Sequence, residues 1–270
     1  MRKVIPLLLL AGILPFACKK SVLDGRLSSA NAQPLAQTKY LISLHGSVYS
    51  AYFQYNDSMQ ASYLEFNQTN YISSYFAYYT GTRLQSILSA TDSLGSVKDS
   101  AYSFVYNPST GKVLKILHPN DGSYDSLGYD GLGRLSSITR FNGTPATYYE
   151  FDSLTVDINN DLLTEYKLPL THNDVIEDFT YDTAVNPLRA TNLGFALAVV
   201  GGLWEDLSAH NVTKKVYSTA NPSALTPVVI ETDTNVYTYG SDGLPATVTE
   251  TQVNTVTGTM AYSFSYGYIL

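Results

Sequence analysis

From about Tyr40 onward, apolar and polar residues alternate at a period of two in short runs separated by turn residues, the pattern of half-buried strands. The run 47–55 is aromatic-rich and ends at a turn over Asn56-Asp57. The run 63–79 divides near Asn67-Gln68-Thr69-Asn70. Later runs hold Tyr102, Phe104 and Tyr106, then Thr147, Tyr149 and Phe151. The final run places Tyr262, Phe264, Tyr266, Tyr268 and Leu270 on one face. The stretch Tyr129-Asp130-Gly131-Leu132-Gly133-Arg134-Leu135-Ser136-Ser137-Ile138-Thr139 organises the rest. Tyr129 ends a strand, and Asp130 and Gly131 supply the turn. The next strand then alternates, with Leu135, Ser137 and Thr139 on one face and Arg134, Ser136 and Ile138 on the other. The unit recurs from Tyr78, from Tyr106 with a turn one residue longer, and in degenerate form near Tyr237, where Leu244-Pro245 replaces Arg-Leu. Because proline cannot donate to a ladder, that last strand starts at or after Pro245. The pattern predicts an all-β fold, an antiparallel meander of hairpins in one strongly curved or barrel-like sheet.

One segment departs from this grammar. Gly194 to Trp204 is an apolar run containing Phe195, Leu197, Val199, Val200, Leu203 and the single tryptophan. It is too short to cross a bilayer as a helix, which takes ~20 residues. It reads as a long loop or short helix near 186–210, packed against the sheet and plugging one end. The N-terminus differs again. Met1-Arg2-Lys3 precedes an apolar stretch from Val4 to Ala17 and then Cys18, the pattern of an export signal over 1–17. Residues 18–38 are polar and small, a flexible tether, and 39–270 form the β domain.

Composition narrows the chemistry. Acidic residues outnumber basic ones by 23 to 16, which argues against a nucleic-acid partner. Cys18 is the one cysteine, so the fold has no disulfide and depends on its packed core. His45, His118, His172 and His210 are scattered without metal-ligand spacing, and no nucleophile elbow, phosphate loop or zinc motif occurs. No cofactor is expected. Asp125, Asp130, Glu150, Asp152 and Asp157 are candidates for a glycosidase pair only in a loose sense, since acids in turns usually accept hydrogen bonds from nearby backbone amides. The stretch Asn120-Asp121-Gly122-Ser123-Tyr124-Asp125 reads as a turn in preference to a calcium loop.

Several motifs carry resemblances. Leu14-Pro15-Phe16-Ala17-Cys18, followed by Lys19-Lys20-Ser21, resembles a lipoprotein box of the Bacteroidota type, with the leucine one position further from the cysteine than usual. The resemblance implies lipidation of Cys18 and anchoring to the outer membrane. The Tyr-Asp-x-x-Gly-Arg-Leu-x-x-Ile unit resembles the YD repeat of Rhs-type shells, although four copies are too few to wrap a toxin. A set of uncharacterised Bacteroidota lipoproteins, with β domains of the DUF4595 kind described as porin-like, is more similar still. The shared features are the Cys-Lys-Lys start, the Gly-Arg-Leu hairpins, a Tyr-Asp…Asn-Pro-Leu segment before Asn-Val-Thr-Lys, and a Tyr-x-Tyr…Asp-Gly-Leu-Pro hairpin. This likeness implies architecture and address, and no chemistry. The tripeptide Asp-Ser/Thr-apolar resembles an O-glycosylation acceptor of the same bacteria at Ser58, Ser93, Ser100, Ser126, Ser153 and Thr183; turn-then-strand grammar produces the same tripeptide.

The expected protein is therefore a lipid-anchored, surface-exposed outer-membrane component, with the periplasmic face as the alternative. Its expected role is non-catalytic: a structural surface component, or a binder of a glycan or protein partner through aromatics such as Tyr262 and Tyr266. Two alternatives stand beside this reading, a membrane-spanning barrel and a carbohydrate-active enzyme.

Overall fold

The computed structural model describes residues 39–269 apart from 47–48, 69–70, 91–97, 144–146, 170–172, 191–192 and 221–225. The expected signal segment over 1–17, the expected anchor at Cys18 and the expected tether over 18–38 lie outside the described residues. Sixteen strands follow in order: β1 (Tyr40–Gly46), β2 (Tyr49–Tyr55), β3 (Ala61–Gln68), β4 (Tyr71–Thr80), β5 (Arg83–Ala90), β6 (Lys98–Tyr106), β7 (Val113–His118) and β8 (Ser123–Tyr129). The second half comprises β9 (Leu135–Asn142), β10 (Thr147–Val156), β11 (Leu162–Pro169), β12 (Asp174–Val185), β13 (His210–Ala220), β14 (Val228–Tyr239), β15 (Pro245–Asn254) and β16 (Gly258–Ile269). Each pairs antiparallel with its sequence neighbours, and β16 pairs with β1, so the meander closes into a barrel without a free edge.

The organising unit is a turn followed by a β-bulge, and the bulge corrects the facing expected from simple alternation. Tyr129 pairs with Leu135 while Gly128 pairs with Ser137, so the ladder slips by one residue. Leu135 and Ile138 are consequently both buried on the inner face. The same shift places Ala61 with Leu64, Leu84 with Ile87, Val113 with Ile116, Leu162 with Glu165 and Pro245 with Val248 inside. Pro245 begins β15, where its missing N–H costs no ladder bond.

Each part of the unit has a physical task. Asp130 Oδ1 accepts the Leu132 and Arg134 amides at 2.9 and 2.8 Å and closes the turn. Gly133, rather than Gly131, takes the left-handed conformation at φ +82°, and a Cβ there would stand 2.1 Å from Lys112 Nζ. That ammonium donates to the Gly133 carbonyl at 2.8 Å, and Arg134 Nη1 donates to the Asp157 carbonyl at 2.6 Å, so each turn holds the next. The tyrosine completes the unit. Tyr129 Oη donates to the Val113 carbonyl at 2.8 Å, Tyr106 to Leu84 at 2.6 Å, and Tyr79 to Ala61 at 2.8 Å. Tyr55, Tyr181 and Tyr268 repeat the bond to Leu41, Leu162 and Pro245. The partner that buried tyrosine hydroxyls require is thus the main chain at the neighbouring turn. Tyr129→Phe keeps the ring and removes one such bond; it is expected to lower stability by about 1 kcal/mol, read as a shifted urea midpoint at constant m value.

These turns share one end of the barrel with the ends of β1 and β16. At the same end the β12–β13 connection expands into the expected insertion: a 3-10 turn (Pro187–Ala190), a helix α1 (Leu193–Gly201) and a second 3-10 turn (Trp204–Leu207). Being apolar on every side, α1 must be enclosed. Leu193, Ala196, Leu197, Ala198 and Trp204 join the barrel's inner core, and Phe195 meets Phe104 of β6 at 5.8 Å between ring centroids. Ser208 fastens the insertion to the wall, accepting the Leu162 amide at 3.0 Å and bonding the Tyr181 hydroxyl at 2.9 Å.

The outer wall is rich in hydroxyl groups. Cross-strand bonds there join Thr238 with Thr247 at 2.6 Å, Thr249 with Ser263 at 3.3 Å and Thr164 with Asp178 at 2.9 Å. Exposed Lys214, Asp178 and Gln54 stand on the same surface, with Val236 among the exposed apolar residues.

Candidate functional site: the barrel lumen

The inner wall carries a ribbon of charge. Arg140 of β9 binds Glu150 and Asp152 of β10 through Nη1, and its Nε stands 3.9 Å from Asp125 of β8. Lys167 of β11 pairs with Glu177 of β12 and lies 3.7 Å from Glu165. Lys215 of β13 reaches Glu177 and Glu205 at 2.8 Å each, and its ammonium stands 4.6 Å from the Tyr217 ring centroid. Burial alone would weaken these cations. For Arg140, the attraction of Asp152 and Glu150 outweighs it and raises the basicity; for Lys215, Glu205 and Glu177 do the same. The carboxylates outnumber the cations. Burial lifts Asp152 above the usual carboxylate range against the pull of Arg140, and it pushes Glu165 up to about 8.

Above α1 the lumen opens into a cavity of about 460 Å³. The insertion contributes Leu197, Glu205 and Asp206; β13 contributes Lys215 and Tyr217; β14 contributes Glu231, Asp233 and Tyr237; β15 contributes Glu250 and Gln252. Phe264 and Tyr266 of β16, with Leu44, Phe53 and Phe66 of the first strands, form the apolar side. Tyr266 stacks on Tyr268 with centroids 6.3 Å apart and planes within 10°. Asp206 retains some accessible surface and lines this cavity, and burial, with Glu205 adding, raises its pKa well above the ordinary carboxylate value. Asp233 is raised by burial and by Glu231; Glu250 is raised by burial and then by Asp233 and Glu231. The ingredients are clustered acidic side chains beside aromatic surface in a concave, partly open space, suited to holding a small molecule.

The residues singled out from sequence separate cleanly. Asp125, Glu150 and Asp152 converge on Arg140, whereas Asp130 and Asp157 cap turns through backbone amides. Tyr266 lines the cavity; Tyr262 lies outside its lining and bonds Met260 Sδ at 3.1 Å. Asp121 accepts the Ser123 amide and hydroxyl at 2.8 and 2.6 Å, as a turn requires. His45 is exposed beside Tyr52, His118 bonds Asp125 at 3.2 Å, and His210 bonds Asp161 at 2.7 Å. Among the described residues, no three His, Cys, Asp or Glu side chains gather as a metal site would require. Ser58, Ser153 and Thr183 are exposed and Ser126 is half-buried. Ser93 and the Ser100 side chain lie outside the described residues, as do Cys18 and His172. The sequence reading missed Lys215, Glu205, Asp206, Glu231, Asp233 and Glu250. The available signal was charge at alternate positions, as in Glu231 and Asp233 along β14.

The fold and its interior define a plugged, sixteen-stranded up-and-down β-barrel with an acidic, aromatic lumen. Proteins of solved structure with similar folds can be compared with it. A porin-like protein from Bacteroides uniformis matches over 86% of this chain and 96% of its own, at 12% identity and a TM-score of 0.52. A porin-like protein from Bacteroides vulgatus is also similar (82% of this chain, 77% of that one, 12% identity, TM-score 0.23), as is TcdB2-TccC3 (79% and 10%, 10% identity, TM-score 0.35). The first of these shares the fold. No protein-family model and no curated protein matches the chain.

Proposed function

We propose that this chain is an exported, lipid-anchored envelope protein whose barrel holds a small ligand in its lumen and neither conducts solutes nor catalyses a reaction. The observation that carries the reading is the helical insertion packed across the lumen, with a lined cavity above it. A porin needs a continuous aqueous path; here Trp204, Leu193 and Leu197 occupy the interior. The outer wall supports a barrel standing in water, because a bilayer-facing wall carries an apolar band ~25 Å tall and this one carries hydroxyl ladders, Asp178 and Lys214. The charged ribbon supports a binding role over catalysis, since Asp125, Glu150 and Asp152 are committed to Arg140. A concave cavity of about 460 Å³ suits a small molecule, a short glycan included, better than a protein partner.

The expected results are specific. Cys18→Ser moves the protein from the membrane fraction to the soluble fraction, and the protein starting at Ser21 is monodisperse without detergent. A strict need for detergent, or ion conductance by the purified protein in planar bilayers, would reinstate the spanning barrel.

A further inference from the structure

We propose that the lumenal cavity is a receptor site for a small organic cation, an amine or quaternary ammonium carried on an apolar or aromatic body. The proposal rests on the ligand-binding reading above and names its ligand class.

The first observation is an imbalance of charge in one partly open cavity. Glu205, Asp206, Glu231, Asp233 and Glu250 line the cavity, and the cation among the lining residues is Lys215. Lys215 is already committed, with Glu177 and Glu205 each 2.8 Å from its Nζ. The second observation concerns unpaired acceptors. Asp233 is 8% exposed and its Oδ1 has no hydrogen-bond partner; Glu205 is 9% exposed and its Oε2 has none. Glu231 makes the contrast plain, because Gln252 and Asn254 donate to its two oxygens at 2.9 and 2.6 Å. A buried carboxylate short of donors is stabilised by nearby positive charge, so Asp233 and Glu205, both lining residues, favour a second cation in the cavity beside Lys215.

The aromatic lining decides what kind of cation fits. Phe264, Tyr266 and Tyr237 present ring surface to the same space, which favours a cation attached to apolar bulk, or one seated over an aromatic face. A hard divalent ion would need six or more oxygens converging on one point, and among the described residues the carboxylates do not gather so. A neutral sugar could stack on the rings and bond the carboxylates, but it would leave the negative charge uncompensated. An anion would add to it. The volume, about 460 Å³, falls within the range of ligand cavities, ~300–1,000 Å³.

Titration calorimetry on the purified protein in low salt tests the assignment, with benzyltrimethylammonium, tyramine and spermidine as cations. Benzyl alcohol, benzoate, maltotriose and calcium chloride are the comparisons. At least one cation is expected to bind at 1:1 and about tenfold or more tighter than benzyl alcohol, with no binding of benzoate. Asp233→Asn combined with Glu250→Gln is expected to weaken the cation about tenfold or more while leaving the thermal midpoint unlowered. Lys215 and the wall ion pairs stay intact in that variant. Maltotriose binding that exceeds every cation, and that is weakened by Phe264→Ala, would overturn the cation class and leave the ligand-binding reading standing. Cation binding unchanged in the double variant would place the site elsewhere on the barrel. Binding of none of the probes would overturn both readings.

Discussion

Lys215→Met is expected to lower the free energy of unfolding by about 3–5 kcal/mol, among the largest losses available to a single side chain in this barrel. The substitution preserves much of the side-chain volume and removes the charge between Glu177 and Glu205. Both acids are buried; among the described residues Glu177 would retain Lys167 alone as an ion-pair partner, and Glu205 would have none. The ammonium also stands over the rings of Phe179 and Tyr217 at 5.2 and 4.6 Å, contacts that methionine replaces only in part. Urea titration followed by tryptophan fluorescence reads the loss directly, since Trp204 is buried in the insertion beside Glu205. Adding Glu205→Gln to Lys215→Met should restore part of it, because a neutral amide costs less to bury than an unpaired carboxylate, while Glu177 keeps Lys167. A single variant as stable as the parent would mean that the ribbon does not hold the wall together.

The second large effect is one of pH. Glu165 is fully buried, and neither carboxyl oxygen has a hydrogen-bond donor. Burial carries its pKa up to about 8 from an ordinary 4.5, while Lys167 pulls in the opposite direction. A folded state that keeps the proton is favoured at low pH. The stabilisation from this group is fully present below about 4.5 and is lost progressively as the pH rises through about 8. The integrated change is on the order of several kcal/mol. Glu165→Gln should flatten that slope and make the barrel more stable than the parent near pH 8. Unfolding midpoints of both proteins at pH 5 and pH 8.5 provide the check, and parallel curves would show that Glu165 is ionised in the fold at both values.

Much of this architecture was legible because turns and strand alternation are local properties. The Tyr129 unit, the apolar insertion around Gly194–Trp204 and the start of a strand at Pro245 could all be read from neighbouring residues. The facing of β9 could not, since the bulge between Tyr129 and Ser137 depends on the partner strand. Two further turns of similar design escaped notice because Met59 and Asn160 occupy left-handed positions that other copies give to glycine, and Val156 stands where others have tyrosine. The cavity was hidden for a different reason. Its charges come from the insertion and from β13, β14 and β15, and polar residues on both faces of those strands conceal which face is inside.

The pairing of Tyr40 with Ile269 joins residues more than two hundred positions apart. A chain emerging from its N-terminus must therefore hold β1 with one side unsatisfied until everything else has been made. Closing so long a loop carries an entropic cost of order (3/2)RT ln n, and topologies of this kind fold slowly. β16 consequently acts as a latch. Until it docks, the nascent wall presents two unpaired margins to its neighbours, and a protein truncated before Gly258 would be expected to associate edge to edge rather than remain single.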